Sequence, residues 1–401
     1  MIRRPAVFLP PPHRFAPPLR PPRRPGGRVT LALAVTLLGA ISGAFPGDAL
    51  AQPSPVLSPG ENVRIGAWIQ PAWNYRAVDG EDDLQGFFLR RARLDLNGQL
   101  LGGQVRFRLL PDLTRSPELR DAWVEVRGGL GANDTGTPAL RTSLRMGQQT
   151  VPFDLQRERN MGLAHFGDRA IAARRFELSG GRDVGVVGML GTPGGRLLVS
   201  GGIFNGQGAN RSDPGRSPLL GGRISASLGG EAARGETDLA RAPTPVVTLS
   251  TGAMTHRNSF LRPRPGFAAD RTVDWHGWTA DLHARWRGAS LAGAWFEQVV
   301  DAGGNDERGD GFFLSAGWVP PPGWVPSSTN AEFVVRHSRA IWDTARDAGP
   351  DQESSVGLTV FHRGHELQTR IQFSREVIFV GSAAERRTRV LTLEHQLLLG
   401  G

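Results

Sequence analysis

The chain is 401 residues long and contains no cysteine, no lysine and a single tyrosine, Tyr75. Without cysteine there is neither a disulfide framework nor a thiolate metal site, which suits passage through an oxidising periplasm. Beyond residue 51, no segment approaches the ~20 apolar residues that a membrane helix needs. No HExxH, P-loop or GxSxG pattern stands in a suitable context, and Gly206-Gln207-Gly208 reads as loop glycine. Nothing marks an enzyme or a cofactor site. Two classes survive: a large soluble β protein, or a barrel whose strands alternate lipid-facing and lumen-facing residues.

What is present narrows the choice. The formal net charge is +9, but residues 1–51 hold seven arginines (Arg3, Arg4, Arg14, Arg20, Arg23, Arg24, Arg28) against Asp48, and the remainder carries only +3. So small an excess gives no argument for nucleic acid. Residues 29–45 form an apolar core behind the arginine-rich stretch, and Ala49-Leu50-Ala51 is a small-x-small site followed by Gln52. This predicts a secretory signal peptide over 1–51, cleaved after Ala51, then a short periplasmic lead over 52–61 and one domain over 62–401.

From residue 60 onward, period-two alternation dominates. In 87–97, Phe88, Ala92, Leu94 and Leu96 fall on one face, with Arg90 ending that row, and Arg91, Arg93, Asp95 and Asn97 fall on the other. Val105, Phe107 and Leu109 oppose Gln104, Arg106 and Arg108; Leu140, Leu144 and Met146 oppose Arg141, Ser143, Arg145 and Gln149. The same rhythm recurs at 278–287 and 366–374. Strands are expected near 63–73, 86–97, 103–111, 118–128, 140–149, 182–191, 195–204, 218–228, 244–254, 273–287, 289–300, 310–319, 329–338, 353–362, 365–376 and 387–398. Sixteen is an even number, as bacterial barrels require. A soluble β-sandwich also alternates, but it would not set arginine after arginine along its surface over strands this long. The expected fold is all-β, a transmembrane antiparallel β-barrel.

With the N-terminus on the periplasmic side, even-numbered junctions should be short turns and odd-numbered ones external loops. The tightest, at Thr192-Pro193-Gly194, Gly288 and Arg363-Gly364, are all even. The longest, around 150–181, is the fifth. Two even junctions, 129–139 and 229–243, are longer than this rule prefers.

Several segments, in order, resemble the phosphate-selective porin family, the O and P porins of bacterial outer membranes. They are Phe87-Phe88-Leu89-Arg90-Arg91-Ala92-Arg93, Asp121-Ala122-Trp123-Val124, Gly147-Gln148, Pro152-Phe153, Asp168-Arg169, Gly181-Arg182-Asp183-Val184-Gly185 and Phe204-Asn205-Gly206. The resemblance implies a trimeric sixteen-stranded barrel set in outer-membrane lipid and lipopolysaccharide, with its third external loop folded inward. It also implies passage of anions, phosphate or polyphosphate in the best-known members. With one tyrosine, the aromatic girdle must rest on Trp and Phe.

The arginines then acquire candidate roles. Arg91, Arg93, Arg106, Arg108, Arg141 and Arg145 form a lumen-facing ladder, and Arg157, Arg159, Arg169, Arg174, Arg175 and Arg182 fall in the constriction loop. Guanidinium forks hold oxyanions bidentately and keep their proton, which suits an anion path. The competing expectation is that they pair with Asp95, Asp121 and Glu125 and knit the wall together. In that case the barrel is a general-diffusion porin, or a non-conducting structural or adhesive one. His362, His365 and Glu366 flank a tight turn but read as solvated rather than metal-binding, and the acidic stretch Asp79 to Asp83 and the run Asn305-Asp306-Glu307 to Asp310 read as external loop. N-terminal sequencing of the protein from the cell envelope should begin at Gln52; a mature chain retaining residues before Ala51 would refute the signal.

Overall fold

The computed structural model describes residues 61–400, apart from 115, 133–137, 177–180, 212–216, 260–271, 302–305, 325–329 and 344–348. The secretory signal expected over 1–51 and most of the lead lie outside the described residues. Each of the sixteen alternating segments becomes a strand. They are β1 (Asn62–Val78), β2 (Leu84–Leu100), β3 (Val105–Asp112), β4 (Glu118–Ala132), β5 (Pro138–Thr150), β6 (Arg182–Gly191), β7 (Leu197–Phe204) and β8 (Leu219–Leu228). The second half comprises β9 (Val246–Ser259), β10 (Val273–Trp286), β11 (Ala289–Asp301), β12 (Asp306–Trp318), β13 (Asn330–Trp342), β14 (Asp351–Arg363), β15 (Leu367–Ile378) and β16 (Arg386–Leu399). The acidic run at Asp306–Asp310, expected in a loop, instead opens β12.

Every strand pairs antiparallel with its sequence neighbours, and β1 pairs with β16 from Ala67↔Leu399 to Val78↔Thr388, so the sheet closes on itself. A closed sheet leaves no edge of unpaired N–H and C=O groups, the condition for strands to cross a bilayer. Among the described residues no helix is long and apolar enough to cross a membrane.

The side-chain pattern is inverted relative to a soluble protein. On β10, Thr279, Asp281 and His283 are buried, whereas Trp278 and Trp286 are exposed. On β15, Gln368, Arg370 and Gln372 are buried while Ile371 and Phe373 are exposed, and on β16 Glu394 and Gln396 oppose exposed Leu391 and Leu393. Polar rows therefore line the concave face and apolar rows the convex one, which is the arrangement lipid demands. Exposed Trp278, Trp286, Trp295 and Trp318 belong to β10–β12, so tryptophan does supply aromatic surface there.

Two bulges change which side chains face inward. Between β1 and β2 the register passes from Gln70↔Arg91 to Pro71↔Leu89, leaving Arg90 unpaired. Between β3 and β4 it passes from Leu110↔Asp121 to Pro111↔Leu119, leaving Arg120 unpaired. In both places a proline, which has no N–H for the ladder, sits across from the extra residue. The alternation expected for 87–97 fails here. Phe88 and Arg90 line the interior with Arg91 and Arg93, and Phe87 (89% exposed) and Leu89 take the outer row.

One part of the interior is apolar. Val151, Phe153, Leu155 and Phe176 of the long β5–β6 junction pack with Val187, Phe204, Leu219, Met254, Trp275, Phe296, Phe313 and Trp342 of β6–β13. Phe176 stacks on Phe296 with centroids 5.8 Å apart. At about 1.5–3 kcal/mol per fully buried large apolar side chain, this patch cements the junction to the wall. Beside it, Arg223 forks onto Asp281 at 2.5 and 2.8 Å, donates to the Phe153 carbonyl at 2.7 Å, and meets Glu158 at 3.2 Å. Removing one partner strands a buried charge. Asp281→Ala should therefore cost about 3–5 kcal/mol, read as a lower urea midpoint in micelles; an unchanged midpoint would show the pair to be idle.

Candidate channel and its arginine wall

Charge is distributed unevenly around the barrel. Strands β2–β6 carry ten arginines (Arg90, Arg91, Arg93, Arg106, Arg108, Arg120, Arg127, Arg141, Arg145, Arg182) and six carboxylates (Asp95, Asp112, Glu118, Asp121, Glu125, Asp183). Strands β7–β16 carry twelve of each, so the surplus of positive charge belongs to the first part of the wall. Exposure differs from one guanidinium to the next, and exposed Arg363, Arg386, Arg387 and Arg389 stand at the ends of β14 and β16. The side chains of Arg106 and Arg127 are 42% and 39% accessible, whereas those of Arg336 and Arg370, on β13 and β15, are 3% and 2% accessible.

The predicted ladder is largely paired. Arg93 bonds Asp112 at 2.7 Å, Arg108 bridges Asp95 at 2.6 Å and Asp121 at 3.1 Å, and Arg145 grips Glu125 at 2.5 and 2.9 Å. Asp121 also receives Arg182 at 2.7 Å. Indoles back the guanidinium planes: Trp68 lies 4.9 Å from Arg91 and 4.8 Å from Arg93, and Trp123 lies 4.2 Å from Arg145. Arg106 stays looser, 3.9 Å from Glu125, and exposed Arg141 has no ion pair among the described residues. Arg91 bonds the Gln70 amide at 2.5 Å and the Gly167 carbonyl at 3.0 Å.

The other candidate set divides. Arg157 is buried over the Phe153 ring and paired with Asp154 at 3.3 Å, so it anchors the chain locally. Arg174 meets Glu376 at 2.5 Å and Glu353 at 3.5 Å, Arg175 meets Asp351 at 2.7 Å, and Arg169 donates to the Gln156 carbonyl at 3.1 Å. Arg182 opens β6 rather than lying in the junction. Burial lowers Arg159 to about 10, with Glu236 drawing it back toward its ordinary value.

Sequence reasoning missed the bulge residues Arg90 and Arg120, although a proline within each partner strand was the available signal. Arg90 bonds Asp168 at 2.5 Å and Glu394 at 2.6 Å, tying the β5–β6 junction to β16. Desolvation opposes ionisation of Asp168, but the charge and hydrogen bond of Arg90 outweigh it and hold the carboxyl at about 2.

The segment 151–181, with short helical turns at Leu155–Glu158, Met161–Leu163 and Ile171–Arg175, bonds widely to the wall. The Gly162 carbonyl accepts from Gln368 and Gln396, that of Ala164 from Arg370, and that of Asp168 from Arg336. Glu353 accepts from the Ile171 amide at 2.9 Å, and Ser338 from the Ala172 amide at 3.0 Å. Asn160 and Leu163 line a cavity of about 550 Å³ with Trp68, Arg108, His365 and Leu398. A second, of about 260 Å³, lies between Arg90, Asp168, Arg174, Arg336 and Glu353. His362 bonds Thr369, and no cluster of three metal-ligating side chains occurs among the described residues.

At the centre, His165 is wholly buried, with Nδ1 2.7 Å from the Ser315 hydroxyl and Nε2 2.9 Å from that of Ser290. Desolvation lowers its pKa to about 4; Glu236 opposes that shift, while Arg159, Arg336 and Arg370 reinforce it. The neutral ring is the form that docks. Its contribution is present above the ordinary value of 6.5 and is lost as pH falls toward 4, because the freed ring takes up a proton first. Acidification from pH 6.5 to 4 should weaken docking of residues 155–170, seen as lost hydrogen-exchange protection after correction for intrinsic rates. His165→Gln should flatten that dependence; protection that stays constant in the native chain would contradict this assignment.

No family model matches the chain, and no curated relative matches it either. Solved structures do. The anion-selective porin from Comamonas acidovorans is 14% identical at a TM-score of 0.57, covering 84% of this chain and 100% of that one. OmpT of Vibrio cholerae in its trimer form is 12% identical at 0.52, over 84% and 99% of the two chains. The outer membrane channel DcaP of Acinetobacter baumannii is 12% identical at 0.51, over 86% and 100%. At these identities the likeness is one of architecture: the chain has the sixteen-stranded fold of outer-membrane porins and channels.

Proposed function

We propose that the protein is a bacterial outer-membrane porin that passes small anions along the β2–β6 wall. The observation that carries this reading is the surplus of arginine over carboxylate on those strands, ten against six, where β7–β16 carry twelve of each. The segment 151–181 acts as the third external loop, folded inward as a constriction; its bonds to β2 and β13–β16, its packing on Trp68 of β1 and its apolar packing on β6–β13 support this. Inorganic phosphate is the permeant that the motif resemblance names, and a homotrimer exported by the signal peptide is the assembly that goes with it. The ladder works by field more than by free hands. Paired guanidiniums keep their geometry, and the uncompensated charge sets a positive potential that attracts anions without a deep trapping site.

A second reading has its own support. Arg93, Arg108 and Arg145 are each matched to a carboxylate, as in a wall knitted for strength, and a general-diffusion porin follows if the surplus is screened. Planar-bilayer recording across a KCl gradient separates the two. The native chain should show a reversal potential on the anion side, and phosphate should lower chloride current in competition. Arg106→Gln with Arg127→Gln, which removes the two loosely held guanidiniums, should move the permeability ratio toward one. A reversal potential of zero in the native chain would favour general diffusion, and absent conductance would end the channel reading.

A further inference from the structure

Strands β5 and β8 end at opposite rims of the barrel, because successive strands alternate direction. The segments that follow them, 151–181 and 229–245, nonetheless bond to each other. The Glu236 amide donates to the Leu163 carbonyl at 2.9 Å, and the Glu236 carboxylate accepts from the His165 amide at 2.9 Å and from Gln156 at 3.3 Å. Contact is close enough that a Cβ at Gly235 would stand 2.8 Å from the Leu163 carbonyl oxygen. The second segment is itself fixed to the wall. His283 Nε2 donates to the Glu236 carbonyl at 3.0 Å, Thr237 to Glu332 at 2.9 Å, and the Gly288 amide to Asp238 at 2.8 Å. Two chains that start from opposite ends can meet this way only within the lumen.

We propose that 229–245 is the second half of the constriction, a clasp that enters from the other mouth and sets the size limit of the channel. Glu236 is its positioning residue. It receives two donors from 151–181 while its own backbone holds both that segment and β10, so the longer segment stays fixed between β7–β16 and its ties to Arg90 and Arg91 on β2. The open cross-section is thereby confined to a slot along β2–β6, which admits small hydrated anions and rejects bulkier solutes. This rests on the porin reading and adds what determines its cut-off. It also accounts for the length of an even-numbered junction that a simple turn would not need.

The test uses the full chain reconstituted in planar bilayers, with polyethylene glycols of graded size as neutral probes. Glu236→Ala should raise single-channel conductance and admit larger glycols, while Glu236→Gln, which keeps an acceptor oxygen for the His165 amide, should behave as the native chain. Conductance and cut-off unchanged in Glu236→Ala would overturn the proposal. Where the alanine variant does not insert, a cross-link decides. The chain has no cysteine, and a Cβ at Gly235 would lie 3.0 Å from that of Leu163, within a small adjustment of disulfide reach. Leu163→Cys with Gly235→Cys, oxidised by copper–phenanthroline, should close an internal disulfide, quieten the open-channel current and preserve the cut-off. Failure to cross-link would refute the contact. A native chain that does not conduct refutes the porin reading, and one that prefers cations refutes its anion preference, whereas a conducting channel indifferent to Glu236→Ala sinks the clasp alone.

Discussion

Closure of the hydrogen-bonded ladder between β1 and β16 is the constraint on which everything else in this molecule depends. A backbone that satisfies itself around a ring can sit in hydrocarbon, and it then has two faces with opposite solvents. From that follows the inversion of polarity along each strand. It also follows that charged side chains on the concave face must find partners close by. Arg336 with Glu353 and Arg370 with Glu394 answer that demand where their side chains are buried. On β2–β6 arginine exceeds carboxylate, and the accessible side chains of Arg106 and Arg127 stand 3.9 and 4.0 Å from Glu125, which Arg145 already grips.

The sixteen strands were legible because period-two alternation is local, and the described strands fall where the pattern put them. Facing was legible too wherever the pleat is regular, as at Arg106 and Arg108 or Gln368 and Arg370. It broke at Arg90 and Arg120, because a bulge is a property of a pair of strands and each strand read alone looks unbroken. Pro71 and Pro111 were the visible trace of both, since proline within a strand weakens a ladder at that point. The docking of 151–181 could not be read from spacing at all. Its partners at Ser290, Ser315, Gln372 and Gln396 are brought near only by the curvature of the closed sheet. The role of 229–245 was hidden for the same reason, yet its excess length at an even junction was a departure with a cause.

Pairing and surplus are complementary features of the same wall. A guanidinium held by a carboxylate and backed by an indole, as Arg145 is by Glu125 and Trp123, keeps its place in the wall and presents a fixed charge. Had each arginine on β2–β6 been matched, the wall would be as neutral as the far side. Had none been, mutual repulsion would have worked against the closed ring.

The lack of lysine makes the cationic part of this wall planar throughout. A guanidinium offers five donors in a fixed fork and a flat face, where an ammonium offers three donors around a point. Arg108 can therefore hold Asp95 with one edge and Asp121 with another, while Arg145 grips Glu125 and lays its face on Trp123. Each such arginine joins neighbouring strands as a cross-brace, a task that a compact ammonium would perform for one partner at a time.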